Sequence, residues 1–355
     1  MLKRFFHFLF GLLPFAASAQ KDLNPINILF IGNSFTHMNS MPVMFEKLAT
    51  SKSYRVNVVM SAKSNHTFKM HSERADLYED INKNKYDYVI LQGFSRELSF
   101  GTEHIDTSVV PYFKQIVDTL YQNNPCVKLL LYMTWGYENG YAYSDYLGSY
   151  DQMSLEIEKG YRYLGELFDI PVIPVGNVWK EIRKNYPNIK LYQADEHHPT
   201  KNGSYIVAST VYTAIFRTSP VGGFTSNIPE DIAYPIQTTA YSYVMKNLSE
   251  FNLDQNILDV NHEFTKDGKF KVNVKANYPN ADSLKWEFGD GTFSEKKKDT
   301  HYFKTFGTYY VKLTVHDKCG TRIIYRPVTF KEPYKPKPVP ESKPITDYKP
   351  KYKRI

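Results

Sequence analysis

Five short apolar runs in the first half of the chain constrain its fold more than any other feature. They are Ile26–Ile31, Tyr54–Met60, Tyr86–Leu91, Val127–Met133 and Pro171–Val175, in a chain of 355 residues. Between them lie longer stretches with helical spacing of apolar residues, such as Met41–Lys52 and Val109–Asn123. A strand buried on both faces reads as a continuous apolar run. Alternation of such runs with helices makes a parallel sheet covered on both sides. A further helix is expected over Lys201–Arg217, and Ile232–Phe251 reads as one more, packing back on the same domain.

The pattern changes near Ile257. Phe270, Val272 and Val274 alternate with polar residues, as do Tyr309, Val311, Leu313 and Val315. A period of two with glycine-bearing turns indicates an antiparallel β-sandwich. Trp286 and Phe288 share one face of a strand and are expected in its core, with Asp290 capping the turn that follows. Residues 331–355 are rich in Pro, Lys and Tyr and offer almost no aliphatic side chains, so no packed structure is expected there.

The start of the chain has its own signature. Lys3 and Arg4 precede the apolar stretch Phe5–Ala16, and Ala17-Ser18-Ala19 gives a small-x-small site. Residues 1–19 therefore read as a secretory signal peptide cleaved before Gln20, and no later run is apolar enough for a membrane span. Of the net charge of +7, the leader supplies two and the tail from Lys331 supplies five, leaving a neutral body. A neutral body argues against a nucleic-acid footprint. Two cysteines, Cys126 and Cys319, make no disulfide framework and read as single thiols in packed regions.

In an open parallel sheet, ligands sit beyond the carboxyl ends of the strands. The segments found there are Gly32-Asn33-Ser34, then Ser64-Asn65-His66, Gln92-Gly93-Phe94-Ser95, Thr134-Trp135 and Gly176-Asn177, followed by Asp195-Glu196-His197-His198-Pro199. A serine becomes a strong nucleophile when a base takes its proton and a third group fixes the base. Ser34, His198 and Asp195 have the chemistry for those roles, since Asp and His three apart on one loop can face one point. No Cys or His lies at metal-site spacing from the two histidines, so no metal is expected.

Gly-Asn-Ser-Phe-Thr after the first strand, together with Asp-x-x-His-Pro before the last helix, resembles the SGNH (GDSL-type) hydrolase family. The resemblance covers about residues 24–218. It implies a flavodoxin-like three-layer α/β fold with a five-stranded parallel sheet. It also implies a carboxylic ester hydrolase with Ser34 as nucleophile, His198 as base and Asp195 as its orienting acid. The oxyanion would be held by the Ser34 N–H, by donors near Asn65, and by a side chain in place of the family's usual Asn. That side chain is Ser95 under the simplest alignment, and Gln92 is the expected donor because its amide sits on a longer stem. Trp135 and Asn177 are further candidates, for substrate binding. "Trp286-Glu287-Phe288-Gly289-Asp290-Gly291-Thr292" and the strand from Gly307 resemble the PKD module, an immunoglobulin-like sandwich, over 257–330.

The expected organisation is thus a leader at 1–19, a hydrolase domain at 24–250, a sandwich at 257–330 and a tail at 331–355. The expected activity is that of a secreted serine esterase without cofactors, acting on an acylated small molecule or polysaccharide. Export and the tyrosine-rich stretch between Tyr132 and Tyr163 favour O-acetyl groups on a carbohydrate. A non-catalytic glycan-binding protein, or a lipase or thioesterase of the same family, is the alternative. The sandwich is expected to act as a spacer or to bind polysaccharide or protein weakly.

Overall fold

The computed structural model describes residues 25–254, 257–265, 269–278 and 281–331. The leader, and the tail beyond Lys331, lie outside the described residues. The chain divides into two units at Asp254/Gln255.

In the first unit the apolar runs form β1 (Ile26–Gly32), β2 (Val56–Ala62), β3 (Tyr88–Leu91), β4 (Lys128–Tyr132) and β5 (Val172–Ile173). The sheet order is β2-β1-β3-β4-β5 and every pairing is parallel. Ile28 to Ile31, at the centre of β1, are fully buried, as the unbroken apolar run requires. The connecting helices are α1 (Ser34–His37), α2 (Met41–Ser51), α3 (Phe68–Ser72), α4 (Ala75–Lys83), α5 (Thr102–Ser108), α6 (Val110–Asn123), α7 (Tyr150–Phe168), α8 (Val175–Asn185), α9 (Lys201–Phe216) and α10 (Glu230–Lys246). Helices α2, α8, α9 and α10 pack together as one group, and α3 to α7 form a second. Helix α9 is the most deeply set. Gly203 to Ala214 are all buried, and Trp179 and the Leu191 carbonyl leave no room for a Cβ at Gly203.

Two boundaries differ from the sequence reading. The fifth strand has only two residues, because the chain turns into α8 directly after Pro174. The first unit also runs past residue 250. Phe251 and Leu253 are buried in its core, and the Phe251 carbonyl accepts the Val172 N–H at 3.0 Å. The end of the first unit therefore completes the edge of the sheet at β5.

The second unit contains β6 (Ile257–Phe264), β7 (Phe270–Asn277), β8 (Ser283–Glu287), β9 (Phe293–Ser294), β10 (Lys298–Phe303), β11 (Gly307–Asp317) and β12 (Gly320–Phe330). They form two antiparallel sheets, β10-β7-β6 and β12-β11-β8-β9. Trp286, Val272, Val311, Leu313 and Val315 fill the interior with Phe288. Asp290 caps its turn by accepting from the Thr292 N–H at 3.0 Å, and it also holds His301 at 2.7 Å.

The reading of both cysteines as buried single thiols is corrected. Neither is a free thiol, both are disulfide-bonded, and each is half-exposed. A count of two excludes a disulfide framework but not disulfide bonding.

The seating of Phe251 has a measurable consequence. Phe251→Ala is expected to cost about 3–5 kcal/mol in chemical denaturation of the full chain, as for other buried aromatics. A loss below about 1 kcal/mol would mean that this segment does not close the sheet edge.

Candidate active site

The order β2-β1-β3 places the ends of β1 and β3 side by side at the point where the chain switches direction across the sheet. Ser34 follows β1 there. Asn33 is the N-cap of α1, its Oδ1 accepting the Phe35 N–H at 3.0 Å. Gln92, at the end of β3, is fully buried, and its Oε1 accepts from the Asn33 N–H at 2.9 Å and the Thr36 hydroxyl at 2.8 Å. A Cβ at Gly32 would collide with Thr36 and the Gln92 amide, so only glycine fits. Among the described residues no acceptor takes the N–H of Ser34, which leaves it available to a ligand.

The second part of the site precedes α9. Glu196 adopts φ of 63°, folding the loop tightly. Asp195 Oδ1 accepts the N–H groups of His197 at 3.1 Å and His198 at 2.9 Å, while Oδ2 lies 2.6 Å from His198 Nδ1. Partial burial works against the Asp195 charge. The His198 N–H, the His198 ring and the His197 N–H outweigh it and hold the carboxyl down at about 2. An ionised Asp195 only accepts, so His198 Nδ1 carries the hydrogen that faces it, and in the neutral ring Nε2 has a free lone pair. That Nε2 lies 2.9 Å from Ser34 Oγ. The three residues singled out in the sequence are thus joined in one hydrogen-bonded relay. His197 is turned differently, its Nδ1 donating to the Asp195 carbonyl at 2.7 Å. Asp195, His197 and His198 cluster closely enough for metal ligation, but both His198 nitrogens and one of His197 already serve these bonds.

Rings brace the two parts. Phe35, Trp135 and Trp179 stack in parallel, with centroids 4.4 Å and 4.0 Å apart, and Phe35 meets His198 edge-on at 5.7 Å. Trp135 Nε1 donates to the His197 carbonyl at 3.2 Å. Trp135 has no exposed surface, so its expected role in substrate binding is corrected: both faces are covered by other rings. Asn177 is corrected as well. It lies in the first turn of α8 and donates to Glu158 on α7 at 2.9 Å, because β5 leads straight into a helix instead of an open loop.

The expectation for Gln92 is also corrected. It is fully buried, its Oε1 is held by two donors of the turn that carries Ser34, and one Nε2 hydrogen goes to the Gly93 carbonyl, so the carboxamide serves as an anchor within the core. Ser95 is buried and its Oγ bonds the Tyr137 hydroxyl at 2.7 Å. Asn65 is exposed at the tip of the loop after β2, with φ of 60°.

Several neighbours were missed in the sequence. His37 Nε2 lies 2.8 Å from Ser64 Oγ, and burial together with the nearby His198 lowers its pKa. Its position three residues after Ser34, on the next turn of chain, was the available signal. Glu97 accepts from the N–H groups of Phe68 at 3.0 Å and Phe94 at 2.9 Å, tying the loop after β2 to the loop after β3. No local pattern marks a buried acid of this kind.

A comparison with known proteins adds to this geometry. The PKD domain family matches residues 274–323. A DUF4886 family protein from Bacteroides uniformis shares 16% identity and a TM-score of 0.53, over 64% of this chain and all of that one. A protein from Slackia heliotrinireducens, named as a candidate SGNH hydrolase, shares 23% identity at a TM-score of 0.42, over 53% of this chain and 98% of that one. A catalytic mutant of an acetylxylan esterase from Geobacillus stearothermophilus shares 18% identity at 0.39, over 52% and 92%. No curated protein matches the chain. The first unit shares its fold with the DUF4886 family protein, and the PKD domain match falls within the second unit. Ser34 stands at the end of the first strand and the Asp195–His198 pair in the loop before α9.

Two tests follow from the supports of the site. Gln92→Ala strands the buried Asn33 N–H and the Thr36 hydroxyl, so a loss of about 2–4 kcal/mol in unfolding free energy is expected. Unchanged stability would contradict the anchoring role. Burial pushes the Glu97 carboxyl up to about 7, against the pull of the Phe94 and Phe68 N–H groups. The folded state therefore holds that proton more tightly than the unfolded chain does. The associated stability is full below about 4.5 and is lost as pH rises through about 7. In Glu97→Gln the fall in Tm across that interval is expected to flatten, and a slope identical to that of the parent would refute the assignment.

Proposed function

We propose that the SGNH unit is a serine esterase that releases acyl groups from a carbohydrate. The observation that carries the reading is the relay Ser34 Oγ–His198 Nε2 at 2.9 Å and His198 Nδ1–Asp195 Oδ2 at 2.6 Å. Ser34 Oγ attacks the ester carbonyl as its proton passes to His198 Nε2. Asp195 holds the imidazole through Nδ1 and stabilises its positive form. The oxygen that becomes negative accepts from the Ser34 N–H, and the loop after β2 meets the Ser34 turn where Ser64 Oγ lies 2.8 Å from His37 Nε2. His198 then protonates the departing alcohol. Water repeats the sequence on the acyl-enzyme and frees Ser34.

A run of rings supports a glycan as the alcohol. It leads from His198 to His197 at 4.3 Å, on to Tyr137 at 5.0 Å, then Tyr141 at 6.2 Å and Tyr143 at 5.6 Å. Tyr143 is 88% exposed, and a sugar ring can stack on such a face. The acetylxylan esterase among the structural neighbours is consistent with acetyl as the acyl group. The leader expected at residues 1–19 would direct the chain out of the cytoplasm, and the PKD domain would act there as a spacer or a weak contact to polysaccharide or protein. Among the described residues no helix is long and apolar enough to cross a membrane. One feature favours a second reading, a glycan-binding protein without turnover: the Gln92 amide and the Ser95 hydroxyl are both engaged elsewhere.

Acetate release from acetylated polysaccharides and from an aryl acetate separates the two readings. Turnover is expected, with Ser34→Ala and His198→Ala each reducing it ~10³-fold or more. His197→Ala is expected to reduce it less than about tenfold, because its ring only adjoins the relay. Sugar binding without any acetate release would favour the second reading.

A further inference from the structure

We propose that Arg96 binds a carboxylate on the sugar, so that the esterase acts on an acylated acidic glycan. The proposal deepens the esterase reading and rests on it for the reaction, though not for the binding.

Arg96 lies on the loop after β3. The same loop adjoins the nucleophile turn, since the Gly93 carbonyl is 3.5 Å from Asn33 Nδ2. The guanidinium sits 4.4 Å from the centre of the Tyr141 ring and 5.1 Å from that of Phe94. Its Nη1 donates to the Tyr137 hydroxyl at 3.2 Å. Tyr137 is the ring that meets His197, so the cation and the relay share one wall of the site. Arg96 is half-buried, and among the described residues it pairs with no carboxylate. The acid next to it in sequence, Glu97, is turned inward onto the Phe68 and Phe94 amides.

A guanidinium has five N–H donors, and Tyr137 takes one. The two ring faces fix its plane. A planar fork held in one orientation matches a planar carboxylate bidentately. The charge balance points the same way. One cation neutralises a single negative charge, whereas a phosphate dianion would be left with an excess charge. The exposed Tyr143 lies beyond Tyr141 on the same run of rings, so a sugar stacked there can turn an acidic substituent towards Arg96.

The test uses the full chain carrying Ser34→Ala, which binds without turnover. It is titrated calorimetrically with a glucuronate-bearing oligosaccharide, with its carboxyl-reduced neutral counterpart, and with a sulfated analogue. The glucuronate form is expected to bind about tenfold tighter or more, and the preference is expected to vanish with Arg96→Leu or Arg96→Gln and to survive in part with Arg96→Lys. Equal affinity for acidic and neutral sugars, binding to neither, tighter binding of the sulfated analogue, or a preference that persists in both Arg96 variants overturns the proposal. With Ser34 restored, the ratio of kcat/KM for acetylated glucuronate over its neutral counterpart is expected to fall about tenfold or more in Arg96→Gln, through KM. Aryl acetate turnover by the parent without acid preference would defeat the Arg96 proposal alone. Acid-dependent binding without aryl acetate turnover would defeat the esterase reading alone.

Discussion

The position of Ser34 depends on one buried oxygen. Gln92 Oε1 takes hydrogens from the Asn33 N–H and the Thr36 hydroxyl, at the end of the strand beside β1. Both donors belong to the turn that carries Ser34, and both are out of reach of water. An unpaired buried donor costs about 1–3 kcal/mol. The turn therefore has one well-paired geometry, and Ser34 is aimed by it. Asp195 plays the matching part on the opposite loop. One of its oxygens closes the backbone of that loop and the other orients the His198 ring. The stacked Phe35, Trp135 and Trp179 then hold the two loops at a fixed separation.

Charge and burial divide the acids of this region between two tasks. Asp195 gains two backbone N–H bonds and an imidazole and stays ionised far below neutrality. Glu97 gains comparable bonds but is buried among apolar groups, and its carboxyl is pushed up to about 7. The first keeps a fixed negative charge against the His198 imidazole, as the proposed reaction requires. The second fastens two loops and is sensitive to pH near neutrality.

Much of this could be read from local patterns. Continuous apolar runs marked four of the five strands to within about two residues, because the central strands bury both faces, whereas β2 at the sheet edge leaves Asn57 and Met60 exposed. Ser34 was legible from its place at a strand end. Asp195 and His198 were legible because a pair three apart on one loop needs no long-range information to converge. Trp135 was misjudged because its burial comes from Phe35 and Trp179, which lie far apart in sequence. Gln92 was placed at the right point with the wrong task. The direction of a carboxamide depends on which groups face it, and here these lie 59 and 56 residues away. Asn177 was assigned to a loop that does not exist, since β5 ends after two residues. Arg96 carried no motif, and its interest arises only where Phe94, Tyr137 and Tyr141 meet around it.

The central claim is that Ser34 is made nucleophilic by His198. A fluorophosphonate probe tests it without knowledge of the natural substrate, because it forms a lasting bond only with an activated hydroxyl. The probe is applied to the parent and to His198→Ala, and the adduct is located by peptide mass spectrometry. The expected result is a single adduct on Ser34 in the parent, formed at least ~10²-fold more slowly once the imidazole is gone. Labelling at another residue, or equal rates in the two proteins, would contradict the account.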